Sequence, residues 1–157
     1  MSKDRPPPRM LHDPEAALAE AMADAPTFES TTADVLVRVK TFWLDDQSQP
    51  EDRHYAWAYH IRIENRRPET VQLRARSWEI IDAHGRVEHV HGDGVVGEQP
   101  VLAEGESFEY TSGASLQTPT GFMRGAYHMV VVANGAAFDV RIPCFSLDSP
   151  HHSRLVH

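Results

Sequence analysis

The feature that most limits how this chain can fold is the run from His54 to Glu64, in which Tyr55, Trp57, Tyr59, Ile61 and Ile63 alternate with His54, Ala56, Ala58, His60, Arg62 and Glu64. A period of two puts one set on each side of a pleated strand, so the large apolar side chains share a face while most polar ones meet water. A helix would scatter both sets around its circumference. The same period recurs in Val35, Val37, Val39, Thr41 and Trp43, with Arg38, Lys40 and Phe42 opposite. Val71, Leu73 and Ala75 lead through Trp78, Ile80 and Ile81 to Ala83-His84-Gly85; the slip of phase predicts a bulge near Ser77 and a hairpin after it. Val87 to His91, Ser107 to Thr111, Met123 to Val132 and Ala137 to Ile142 read as further strands, the last two flanking Asn134-Gly135, a dipeptide that accepts the positive φ of a hairpin turn. About seven or eight short strands with turn signals between them, and no long helical pattern, predict an all-β antiparallel sandwich. Trp57, Tyr59, Ile61, Trp78 and Phe108 are expected to share its core.

A chain of 157 residues suits one such domain. Residues 1–30 are different in character: Pro6-Pro7-Pro8 gives an extended start, and Asp13-Pro14-Glu15 opens an alanine-rich stretch that predicts one short helix ending before Ala25-Pro26. Isolated helices below about 12–15 residues are marginal in water, so this segment reads as an N-terminal extension to a sandwich spanning 31–148, with a histidine-bearing tail at 149–157. The formal net charge of −8 opposes binding to a phosphate backbone, which excludes nucleic acid as the primary ligand. No run of about 18 apolar residues is present to span a bilayer. Cys144 is the single cysteine, which removes an internal disulfide or a CxxC site and fits a reducing, cytoplasmic setting.

Several residues carry candidate chemistry. Gly92, Gly94 and Gly97 match the spacing of a dinucleotide fingerprint, but Pro100 and Gly105 interrupt the helix that such a site requires. Those glycines suit a bend with positive φ; as an anion-binding nest they would use backbone N–H groups, with Arg124 as charge partner. His89, His91 and Asp93 alternate and so project from one strand face, a donor set able to take a divalent transition metal, although exposed histidines need no metal. Tyr110, Phe122 and Met123 are placed in or near a loop punctuated by Pro119 and Gly121, the kind of segment that forms a protein-contact patch at a sandwich end. Cys144, between Pro143 and Phe145, is expected to be a small buried side chain. No motif supplies a nucleophile with its base, so no catalytic residue and no cofactor is expected.

The segment from Val35 to Leu147 resembles the bacterial ApaG family. The resemblance lies in Ala58-Tyr59, Val71-Gln72-Leu73, Trp78 with Asp82, the run GDGVVGEQPVL from Gly92 to Leu102, Gly105-Glu106 with Phe108, and Tyr110-Thr111-Ser112-Gly113. It continues through Thr118-Pro119, Gly121, Met123-Arg124-Gly125, Tyr127 and Ile142-Pro143 with Phe145 and Leu147. It implies an immunoglobulin-like or fibronectin type III-like sandwich, in agreement with the strand pattern. It also implies an association with cobalt tolerance and magnesium homeostasis, and an adaptor that binds a protein partner rather than an enzyme. A divalent cation or a phosphate-bearing small molecule is the alternative ligand.

Overall fold

The computed structural model describes residues 25–151, and every structural statement here refers to them. Nine strands follow in order: β1 (Thr27–Thr32), β2 (Val35–Trp43), β3 (Tyr55–Asn65), β4 (Val71–Asp82), β5 (Val87–Asp93), β6 (Val101–Leu102), β7 (Ser107–Leu116), β8 (Thr120–Val131) and β9 (Ala137–Asp148). All pairings are antiparallel. One sheet has the order β1-β2-β3-β7; the other runs β5-β4-β8-β9, with β6 beside the first residues of β4. No helix among the described residues is long and apolar enough to cross a membrane.

The alternating runs build the layer between the sheets. Val37 stands opposite Ile63, Val39 opposite Ile61 and Thr41 opposite Tyr59, so their inward side chains form rows. Against these pack Trp78, Met123, Tyr127, Ile142 and Phe145 from the second sheet. Tyr59, Trp78 and Phe145 form a ring cluster with centroids 5.6 to 5.9 Å apart. Trp57 is buried with its indole N–H donating to the Asp148 carbonyl at 2.9 Å, which ties β3 to the end of β9. Burying one large apolar side chain contributes roughly 1.5–3 kcal/mol, so this cluster accounts for much of the driving force.

Two bulges set which residues of the second sheet face inward. In β4, Leu73 pairs with Met129 and Ala75 with His128, so Arg74 is the extra residue. Val71 and Leu73 point to the core before it, and Trp78 after it. In β9, Phe145 pairs with Met123 and Ile142 with Gly125, which leaves Pro143 and Cys144 opposite Arg124. A bulge suits Pro143, which has no N–H to give to a ladder.

Polar groups inside this core are matched. The Tyr110 and Tyr127 hydroxyls meet at 2.6 Å, and burial pushes both phenols well above their ordinary titration range. Fully buried Asn65 donates to the carbonyls of Glu69 and Leu102 and accepts from the Arg67 N–H, joining the β3–β4 turn to β6. Along the opposite flank, Ser30 Oγ donates to the Arg141 carbonyl and the Arg141 N–H donates to Thr32 Oγ1, so β1 closes the sandwich against β9.

The structure corrects several expectations. The sheet begins at Thr27 rather than after residue 30, because β1 pairs with β2 along its whole length. The β4 bulge lies at Arg74, not near Ser77. Ser149 is buried and its N–H donates to the Pro119 carbonyl, so the tail starts later than 149. The His151 ring lies 5.6 Å from that of Trp43. The predicted helix lies outside the described residues.

Tyr110→Phe or Tyr127→Phe leaves one hydroxyl buried without its partner and is expected to cost about 1–3 kcal/mol. The double variant should lose less than the sum of the two single losses. Urea denaturation of the four proteins measures the coupling.

Candidate functional site

The outer face of the β5-β4-β8-β9 sheet collects most of the chemistry-bearing side chains, because the Arg74 bulge turns Ser77 and Glu79 outward beneath their neighbours on β5 and β8. The register arranges them in rows: Val87, Ile81, Phe122 and Ser146; then His89, Glu79 and Arg124; then His91, Ser77, Ala126 and Arg141; and last Asp93, Ala75, His128 and Asp139. A cavity of about 630 Å³ lies over the middle rows, lined by Ser77, Glu79, His89, His91, Arg124, Arg141 and Cys144 among others. Gly125, opposite Trp78, has no side chain because a Cβ there would overlap the Ser77 carbonyl oxygen.

Two sets of polar contacts organise the face. Arg124 Nε donates to Glu79 Oε1 at 2.6 Å, and His89 Nδ1 lies 3.7 Å from Glu79 Oε2. The hydrogen bond from Arg124 holds the Glu79 carboxyl below the usual glutamate range, and the Glu79 carboxylate raises Arg124 in turn. Next to it, Ser77 Oγ lies 2.9 Å from His91 Nδ1 and 2.7 Å from His128 Nε2, while His128 Nδ1 lies 2.8 Å from Asp139 Oδ1. Among the described residues Arg141 has no carboxylate partner for its guanidinium.

The residues singled out in the sequence fall as follows. Gly92 lies beside Arg76, whose guanidinium donates to the carbonyls of Asp93 and Gly94. Gly94 has φ +61° and no room for a Cβ beside the Glu98 carbonyl, and Gly97 has φ +81°. The N–H groups of Gly94, Val95 and Glu98 donate to Arg74, Glu98 and Val95 carbonyls, so three of the donors in this segment are already committed. Arg124 lies on the sheet face in the row of Glu79, three residues along β4 from the partner of Gly92. His89 and His91 are drawn to Glu79 and Ser77 respectively, and among the described residues no group of three His, Cys, Asp or Glu side chains is arranged to hold a metal. The contact patch needs correction: Tyr110 and Met123 are buried in the core, and only Phe122 is exposed. Cys144 is exposed rather than buried, because the bulge turns it out toward Arg124.

Sequence reasoning missed Ser77, His128 and Asp139. Ser77 lies 51 residues before His128, and no motif spans that distance. The other pair was legible, since a turn at Asn134-Gly135 sets His128 opposite Asp139.

A two-sheet antiparallel sandwich with its interior filled by side chains and a cavity on one outer sheet face is an all-β sandwich domain. The family model described as the ApaG domain matches residues 45–131. The protein named ApaG from Rhodospirillum centenum is 60% identical over 124 residues, which are 79% of this chain and 95% of that one. Its counterpart from Paramagnetospirillum magneticum is 57% identical over the same shares. A crystal structure of an ApaA protein from Bordetella pertussis superposes with a TM-score of 0.72 at 44% identity, covering 80% of this chain and 97% of the other. The chain belongs to the ApaG family. Its relatives carry a name that states no reaction.

The Glu79–Arg124 pair contributes to stability above the ordinary glutamate range, and the contribution fades as acid protonates Glu79 in the folded chain. Carboxyl NMR titration should find Glu79 ionising at lower pH in the native protein than in Arg124→Ala, where it returns toward the ordinary value.

Proposed function

We propose that the chain is a protein-interaction module that recognises its partner through the outer face of the β5-β4-β8-β9 sheet. The observation that carries this reading is the apolar row beside the cavity. Val87 and Phe122 are 48% and 36% exposed, with Ile81 between them, and the charged row of His89, Glu79 and Arg124 lies next to it. Adjacent apolar and charged stripes suit a protein surface, where aromatic anchors supply affinity and the polar rim supplies register. The excess of acidic residues makes a nucleic acid an unsuitable partner. The cobalt and magnesium association that the family resemblance implies then acts through the partner, in the cytoplasm, and not through an ion held by this chain.

Affinity capture from extract with the full chain as bait should recover a protein that is lost when Val87→Lys and Phe122→Ala are combined. The substitutions lie on the outer face, so the melting temperature should hold within a few degrees. Recovery of the same proteins by both baits, or saturable heat on titration with cobalt or magnesium ions, would replace this reading.

A further inference from the structure

We infer that Ser77 is a nucleophile, activated by His128 with Asp139 as its orienting carboxylate, and that the outer face carries an esterase-type acyl-transfer site. This goes beyond the recognition role and does not depend on a protein partner, although it shares the same face.

With His128 in its neutral form, the network has one consistent direction. An ionised carboxylate only accepts, so neutral His128 carries its proton on Nδ1 and donates it to Asp139 Oδ1 at 2.8 Å. Its Nε2 is then a lone pair, which at 2.7 Å can only accept the Ser77 hydroxyl proton. Having donated, Ser77 Oγ accepts from His91 Nδ1–H at 2.9 Å. A serine whose proton already points at an imidazole, with that imidazole oriented by a carboxylate, has the geometry of base-assisted nucleophilic attack. The network has no role in the core: Asp139 is 69% exposed, and exposed polar pairs stabilise little. What it does is hold Ser77 Oγ in the wall of the 630 Å³ cavity.

The reaction balances with water as co-substrate. Ser77 Oγ adds to the carbonyl carbon of an ester while its proton moves to His128 Nε2. His91 Nδ1–H, which is directed at Oγ, is the donor available to the oxyanion on the adjacent carbon. Collapse breaks the bond to the alkoxide, which takes the proton from His128 and leaves as alcohol. Water then attacks the acyl-serine, giving up its proton to Nε2, and collapse releases the carboxylic acid while that proton passes to Oγ and restores the Ser77 hydroxyl. Arg141, in the row of Ser77, faces the substrate side of the cavity and selects an acyl ester that bears an anionic group. Because Asp139 is solvated, and backbone N–H groups of central strands are committed to their ladders, the site suits activated esters rather than amides.

The test uses the intact chain with a fluorophosphonate, which forms a P–O bond to the nucleophilic serine and releases fluoride and a proton. Peptide mass spectrometry should place the adduct on Ser77, and Ser77→Ala should carry none there. His128→Gln should slow labelling by about 10²-fold, the usual contribution of a general base. Asp139→Ala should slow it as well, with partial recovery in Asp139→Glu, since the carboxylate acts through His128. Thermal melting of each variant confirms that the fold is retained. Ser77 left unlabelled in the native chain, or labelled equally fast in His128→Gln, overturns the inference whatever partner the module binds.

Discussion

One surplus residue in β4 governs the rest of this structure. Without Arg74 in the bulge, the alternation begun by Val71 and Leu73 would carry Ser77 and Glu79 into the core and Trp78 into water. With it, Trp78 joins Tyr59 and Phe145 while the polar residues come out under the cavity. The bulge at Pro143 and Cys144 makes the matching change in β9, keeping Val140 and Ile142 inside on one side and Phe145 and Leu147 inside on the other. Core and outer face are thus two results of the same pair of insertions.

The two faces of the second sheet use polar groups in opposite ways. Inside, the Tyr110–Tyr127 pair and Asn65 are closed systems in which each buried polar atom has a partner. Outside, the chain from His91 through Ser77 and His128 to Asp139 is reached by solvent, with His91 and Ser77 in the cavity wall. The first arrangement fixes the fold, and the second leaves chemistry available.

Much of the architecture could be read from residue order. The runs at Val35 and Tyr55 predicted their strands closely because alternation of large apolar and polar side chains has a single reading. The run after Val71 signalled a bulge but not its place, since Ala75, Arg76 and Ser77 are ambiguous in facing. The first strand, TFEST from Thr27, was hidden because its side chains are half exposed and it lies beside a proline. On the outer face the limit was different in kind. His89 and His91 were visible from spacing within one strand, whereas Ser77 and His128 meet only through the β4–β8 register, which depends on the position of the bulge. Tyr110 and Met123 were assigned to a surface because aromatic and sulfur side chains near a Pro-Gly loop look alike whether they point in or out.

The hydroxyl links from Ser30 and Thr32 to Arg141 have a consequence for self-association. They join the outer strand of one sheet to the outer strand of the other, β1 in the first and β9 in the second. An exposed edge strand is a template for pairing with another chain. Among the described residues each layer keeps one free outer edge, β7 in the first sheet and β5 in the second, so strand addition has two sites and they lie on different sheets.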